Sequence, residues 1–409
     1  MYFAPQSFLY LMDSLTQAVL GAACGQAVLG RKIGPKALAW GAIAGTLPDL
    51  DVISRVFSEH EVYGLLYHRG LTHSIFITLL APPLLGYLAH KQRGGVAVLF
   101  GLLLVLFMGG TGLKEESAVL QGIGLFILAV TAWVGWRYWG SKNPPKLQEE
   151  PGWKSWSWMF FWAILTHWLI DAGTSYGTQI FEPFSSYRFS FNNIAIADPL
   201  YTLPLLLAVM IIPFFKNKSW QQRINTTALV LSTAYMALTF GIKAKVNAVV
   251  SENIKAQNIE ELSYVTYPTI LNCMLWQTTI ETADAYYYGV YSIWDEEPTI
   301  KFQKLPKQHQ LLDRWKGHEF VDILLWFSQG YYNVTENPDG SLQFNNLRFG
   351  LMGFGLLEDS DGYIFKFKLA EKDGELSVEQ VRDMDKLQPK LLFSLLWNRI
   401  WDKHPAVNK

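Results

Sequence analysis

The sequence predicts an α-helical polytopic membrane protein of about eight transmembrane helices, followed by a soluble α+β domain. Three observations carry that reading. Apolar windows, Leu71–Ala89 and Gly95–Leu113 without a charged residue and Ala118–Trp139 with Arg137 alone near its end, supply the roughly 20 apolar residues that a membrane helix needs. Charge is spread unevenly: residues 1–242 hold 16 basic and 12 acidic side chains, residues 243–409 hold 18 and 23. The second region also carries runs of β-branched and aromatic residues bounded by turn signals. The boundary falls near residue 242, giving a membrane domain over residues 12–242 and a soluble domain over residues 243–409.

Taken in order, the first two segments, Leu15–Gly30 and Ala37–Leu47, are rich in Gly and Ala, which suits close helix packing inside a bundle or a re-entrant pair better than lipid contact. The three long apolar windows follow. Trp156–Ile170 is next and ends at Asp171, then come Ile194–Phe215, with Asp198 near its start, and Thr226–Ile242. The first 11 residues have no basic n-region and no cleavage signal, so no signal peptide is expected there. Tryptophans near segment ends (Trp133, Trp136, Trp139, Trp153, Trp156 and Trp158) read as an interfacial belt.

Orientation follows from the placement of Lys and Arg. With the amino terminus outside, 12 of the 16 basic residues of this region face the cytoplasm: Arg31, Lys32, Lys36, Lys91, Arg93, Arg137, Lys142, Lys146, Lys154, Lys216, Lys218 and Arg223. Arg55, Arg69, Lys114 and Arg188 stay outside, and so does the carboxy-terminal domain. In that domain Tyr264–Leu271, Tyr286–Trp294 and Thr299–Leu305 read as strands and His309–Phe327 as a helix. Turns are expected at Asn337–Gly340 and Asp359–Gly362, within Tyr331–Lys368. Lys390–Trp401 closes the chain as an amphipathic helix.

Composition excludes several classes. No basic stripe or basic domain emerges, which argues against a nucleic-acid partner. Sixty aromatic residues without low-complexity tracts exclude a disordered chain. Cys24 and Cys273 lie too far apart for a disulfide framework or a cysteine metal site.

Ionisable residues at membrane depth are costly and mark function. Here they gather at helix ends: Asp13 and Thr16-Gln17 at the first segment, Pro48-Asp49-Leu50-Asp51 after the second, His68-Arg69-Gly70-Leu71-Thr72-His73-Ser74 opening the third, Thr166-His167 with Asp171 closing the sixth, and Asp198-Pro199 opening the seventh. Alternating helix directions put all of these ends on the outer face. His167 and Asp171 are four residues apart and share one helical face. Gly70 permits a tight path between His68 and His73. Three His and three Asp (Asp49, Asp51, His68, His73, His167 and Asp171) suffice for one or two divalent ions, with Zn, Mn or Fe all suited to mixed imidazole and carboxylate ligands. Arg69 is placed to fork onto a phosphate or carboxylate oxygen. Asp198 reads either as part of the site or as a helix cap before proline. His60, His90, His309, His318 and His404 are set aside as interfacial or surface residues.

The motifs from Met12-Asp13-Ser14-Leu15-Thr16-Gln17 through Asp171 resemble the membrane-bound metal-dependent hydrolase family, a group of bacterial inner-membrane proteins that includes LexA-regulated members. The resemblance covers roughly residues 12–242. It implies a multi-helix protein of the cytoplasmic membrane with a metal site built from these His and Asp residues. Many members have Thr-His where this chain has Thr16-Gln17, so the site either has one ligand fewer or uses Gln17 to bind substrate.

The leading expectation is therefore a metal-dependent hydrolase acting at the outer, periplasmic interface on a lipid or phosphorylated small molecule. A transporter using the same ligands requires ionisable groups at mid-depth or on both faces. A scaffold displaying the α+β domain leaves the His-Arg-Gly-Leu-Thr-His-Ser element unexplained. Oligomeric state is not legible.

Overall fold

A computed structural model describes residues 5–58, 60–114, 117–141, 147, 149–351, 362–372, 374–381 and 389–402. Residues 359–361 of the second expected turn, Lys142, Lys146 and His404 lie outside the described residues.

Two helices, α1 (Pro5–Ile33) and α2 (Lys36–Thr46), form an antiparallel pair whose backbones touch. A Cβ added to Gly21 would lie 2.4 Å from the Gly41 carbonyl oxygen, and one added to Gly25 2.3 Å from the Ala37 carbonyl oxygen. Only glycine allows this approach, which accounts for the small-residue content of both segments. A 3₁₀ turn (Pro48–Ile53) and two short helices, α3 (Ser54–Phe57) and α4 (Tyr63–Tyr67), lead to a second 3₁₀ turn (Leu71–His73) and to α5 (Ile75–Lys114).

Gln92 interrupts α5 with φ −141° and ψ 55°. Before the break, Gly86 lies against Ser157 of α7 (Trp153–Gly173); after it, Gly101 and Gly112 face Thr131 and Gln121 of α6 (Ala118–Gly135). Thr78 accepts a hydrogen bond from Trp168 at one end of α5, and Gly110 abuts Val56, close to Asp51, at the other. A straight helix of 40 residues is about 60 Å long, so the two halves fold back as a hairpin. The remaining helices of the bundle are α8 (Pro199–Ile211) and α9 (Lys218–Ala256).

Among the described residues, three helices are long and apolar enough to cross a membrane: Ile75–Lys114, Ala118–Gly140 and Lys218–Ala256, with Pro199–Phe214 a shorter apolar helix. Eight crossings were expected. Gly95–Leu113 and all of Leu71–Ala89 beyond Ser74 share the one helix α5, and α2, with 11 residues, reaches only about 16 Å of a ~30 Å hydrocarbon layer. Trp156 departs from the interfacial belt: it is fully buried, with its ring edge-on to Trp40 at 5.1 Å.

α9 runs past residue 242 to Ala256, and the first strand begins at Ser263. Two four-stranded antiparallel meanders follow: β1 (Ser263–Pro268), β2 (Leu275–Glu281), β3 (Ala285–Ser292) and β4 (Gln303–Pro306), then β5 (Tyr332–Glu336), β6 (Leu342–Leu351), β7 (Tyr363–Lys372) and β8 (Glu375–Val381). β2 escaped the sequence reading because it is buried along nearly its whole length and shows no clean alternation. The expected helix over His309–Phe327 divides at Gly317 (φ +80°) into a 3₁₀ turn (His309–Trp315) and α10 (Glu319–Ser328). The turn at Asn337–Gly340 joins β5 to β6 as expected, with the Asn337 N–H donating to Ser341 O at 2.8 Å. The sheets meet where Gly350 (φ +80°) lets the backbone reach Gln277, whose Oε1 accepts from the Leu351 N–H at 3.1 Å. The last helix is α11 (Pro389–Trp401).

This domain docks on the membrane domain through the loop joining α7 to α8. Tyr176 packs among Phe327, Phe349 and Phe365, and Arg348 donates to Ser175 O at 3.1 Å. On the other flank the Cys273 thiol reaches Asp198 Oδ2 at 3.2 Å.

Candidate metal centre

Pro48 opens the turn that follows α2 and sets Asp49 and Asp51 on tight 3₁₀ backbone, where residues two apart diverge. Asp49 reaches toward α7 and Asp51 toward the His68–His73 loop. On α7, His167 and Asp171 stack one turn apart and both are buried. His73, with no exposed surface, enters from the second 3₁₀ turn.

Asp49, His73, His167 and Asp171 form a group whose ligand atoms all lie within 4.8 Å of one another. The two imidazole Nε2 atoms are 3.0 Å apart. Asp171 Oδ2 is 3.3 Å from each of them, and Asp49 Oδ1 is 3.4 Å from His73 and 3.5 Å from His167. A tetrahedral ion with ligand bonds near 2.0–2.1 Å has ligand–ligand edges of about 3.3 Å. Asp171 Oδ2 is buried and accepts no hydrogen bond. A buried acceptor left unpaired is costly, and a cation at the centre of the four atoms removes that cost. The residues fit a divalent metal.

The surrounding contacts orient these ligands. His167 Nδ1 donates to the Gly45 carbonyl at 2.5 Å, which leaves the Nε2 lone pair aimed into the cluster. Asp171 Oδ1 is held from two sides, by Gln17 Nε2 at 2.9 Å and by an Arg69 amino group at 3.3 Å, so its other oxygen faces the imidazoles.

Of the six candidate ligands, Asp51 and His68 stand outside the four-residue group. They pair with each other, His68 Nδ1 to Asp51 Oδ1 at 3.0 Å. Asp51 Oδ2 accepts from the Arg69 N–H at 2.8 Å and from the Thr72 hydroxyl at 3.1 Å, and lies 3.3 Å from His73 Nδ1. Burial pushes the Asp51 carboxyl up, but the His68 and His73 imidazoles outweigh it and hold the carboxyl below its ordinary range. Gln17 sits behind Asp171 as its hydrogen-bond donor. Asp198 caps α8, accepting from the Leu200 N–H at 2.9 Å and the Tyr235 hydroxyl at 2.8 Å.

Arg69 adopts φ +59°, a left-handed conformation rare for a bulky residue other than glycine. Its guanidinium is buried between Asp13 Oδ2 at 2.5 Å, Thr174 Oγ1 at 3.1 Å and the Tyr176 ring, 5.1 Å from the centroid.

The sequence pattern of the YdjM inner membrane protein family matches residues 12–113 and 122–247, more than half of the chain and all of the residues just described. The chain belongs to the YdjM inner membrane protein family. No curated protein and no solved structure matches it. In this YdjM-family protein the match ends before β1, so both sheets lie beyond it.

Two further residues brace the group around the four donors. Asp13, the Arg69 partner, was marked only as a helix-end charge. Arg188 had no motif around it; it is buried and grips the carbonyls of Leu65 and His68 at 2.9 and 3.1 Å, bracing the turn that carries Arg69. Burial without a carboxylate partner pushes its guanidinium down to about 10.

Proposed function

We propose that this protein is a metal-dependent hydrolase of the cytoplasmic membrane, acting at the periplasmic interface on a lipid or phosphorylated small molecule. The observation that carries the reading is the set of four donor atoms within 4.8 Å of one another, among them Asp171 Oδ2, which accepts no hydrogen bond. Asp49, His73, His167 and Asp171 would hold one ion; the five edges of 3.0–3.5 Å that involve the imidazoles are of the length found in a zinc site, and the mixed imidazole and carboxylate set also suits manganese or iron. Bound there, the ion supplies Lewis-acid polarisation of an ester or phosphoryl oxygen. Asp49, the most exposed of the four with 19 % of its side chain accessible, is the donor beside which a substrate enters. Arg69 meets the anionic part of that substrate by giving up Asp13, the more exposed of its two carboxylate partners at 18 %. Supporting the outward orientation, Arg31 and Lys32 close α1, Lys91 and Arg93 flank the α5 bend and Lys218 opens α9, all at the end of the bundle remote from the four donors.

Two measurements test this. Purified protein is expected to carry about one zinc per chain, lost on His73→Ala, and lipid extracts of cells with and without the protein are expected to differ in one phospho-ester species. Protein without stoichiometric metal, or metal unchanged by His73→Ala, overturns the assignment. A reporter fused after Lys409 and active only in the cytoplasm overturns the orientation.

A further inference from the structure

α11 has two apolar faces. One packs inward: Leu396 and Ile400 are buried on Leu275, with Ile270 and Met274 alongside. Arg399 is buried in a two-pronged ion pair with Asp295 at 2.7 and 2.8 Å, which locks the helix in rotation. The other face is open. Phe393, Trp397 and Trp401, spaced four residues apart, are 59 %, 54 % and 47 % exposed. Trp294, 47 % exposed, extends the row by stacking on Trp401 with ring centroids 5.8 Å apart. Four large aromatics in a row on a surface rim call for a partner.

Position identifies that partner. The segment that α11 covers, Ile270 to Leu275, is pinned to the start of α8: the Leu271 N–H donates to Ile196 O at 3.4 Å and Cys273 to Asp198. Immediately below, Leu200 and Leu203 of α8 are 50 % and 49 % exposed, and the apolar outer surface of that helix continues to Ile211. The aromatic row thus stands on a segment fixed to the start of an apolar helix with an exposed outer surface, and Trp side chains at the end of such a helix settle between acyl chains and headgroups.

From this we infer that α11 is an interfacial helix: its Phe393–Trp397–Trp401 face inserts among the headgroups of the bilayer in which the bundle sits and ties the α+β domain to that surface. The occupant is lipid, drawn by apolar burial of about 5–10 Å depth. The inference is independent of the hydrolase reading, because none of these residues touches the four donors.

The test uses the full chain in nanodiscs of phosphatidylethanolamine and phosphatidylglycerol. Ser394, exposed beside the aromatic row, is replaced (Ser394→Cys) and spin-labelled; Cys24 and Cys273 are buried and remain unlabelled in the folded protein. A control label goes on Asp284→Cys, at the β2–β3 hairpin tip, about 20 Å along the strands from Leu275. The ratio of collisions with dissolved oxygen to collisions with a water-soluble nickel complex is expected to be severalfold higher at 394 than at 284. Equal ratios overturn the proposal. A short label-to-label distance at 394 that disappears on dilution of the protein also overturns it, assigning the row to a second copy. Phe393→Ser with Trp397→Ser is expected to leave bound metal unchanged while bringing the 394 ratio down to the control.

Discussion

Gln17→Leu separates metal affinity from folding. The side chain is 1 % exposed, and its Nε2 donates to Asp171 Oδ1 at 2.9 Å while its Oε1 finds no partner. Leucine fills nearly the same volume, so α1 keeps its packing. What goes is one of two donors that turn Asp171 so that Oδ2 faces the imidazoles; Arg69, at 3.3 Å, remains. A hydrogen bond to a charged acceptor contributes about 1.5–3 kcal/mol. Loss of such an orienting partner typically weakens a metal site about 10–100-fold. At about 1.4 kcal/mol per tenfold, the two estimates coincide. Metal-free stability is expected to move by less than about 1 kcal/mol, because the lost bond is offset by removal of a buried unpaired oxygen. Zinc titration with a competing chelator in nanodiscs reads the first quantity, and a metal-free thermal melt reads the second. Zinc affinity within twofold of wild type, with Asp171→Asn abolishing binding, refutes the positioning role. An affinity that falls only in step with the melting temperature reduces the effect to packing.

Other expectations rest on separate parts of the molecule. Gly41→Val would place a Cβ 2.2 Å from the Gly21 carbonyl oxygen and 2.8 Å from Gly25 Cα; an overpacked contact costs about 1–3 kcal/mol, so thermal denaturation in detergent should shift down, and an unchanged midpoint refutes the backbone contact. Gly350→Ala combines a left-handed φ with a Cβ 2.0 Å from Gln277 Oε1; destabilisation of more than about 1 kcal/mol is expected in the melt of the β domain. Cys24 and Cys273, 7 % and 2 % exposed, should resist a maleimide in the folded protein and both react in denaturant; native labelling at Cys273 contradicts its seat beside Asp198.

The apolar helices were legible from local pattern, whereas the eight crossings expected from it were not matched: three helices among the described residues are long and apolar enough to cross a membrane. The break between Ala89 and Gly95 shows as a polar run and becomes the bend at Gln92. The residues of the four-donor group were named from short motifs, since His167 and Asp171 on one helix and His73 beside a glycine are local facts. Which of two aspartates faces the cluster is not local. It depends on the 3₁₀ winding after Pro48, which turns Asp51 toward His68 and Asp49 toward His167. Gln17 illustrates the same gap: a ligand vacancy or a substrate contact were both open from sequence, whereas its partner lies 154 positions away on α7. In the β domain, runs of β-branched and aromatic residues marked β1, β3 and part of β4 but not β2, which is buried along nearly its whole length.

The glycine contact between α1 and α2 has a consequence beyond packing. Gln17 and Gly45 lie on either side of it, and an added Cβ at Gly45 would sit 2.7 Å from the Gln17 carbonyl oxygen. Those same two residues carry the outer contacts of the site, one steering Asp171 and the other fixing which nitrogen of His167 bears the proton. The distance between two backbones therefore serves as the gauge that sets the orientation of Asp171 and His167 on a third helix. With no side chain in the gap to yield, added bulk there moves both contacts together. Added bulk along this seam is therefore expected to lower the melting midpoint and to shift Asp171 and His167 together.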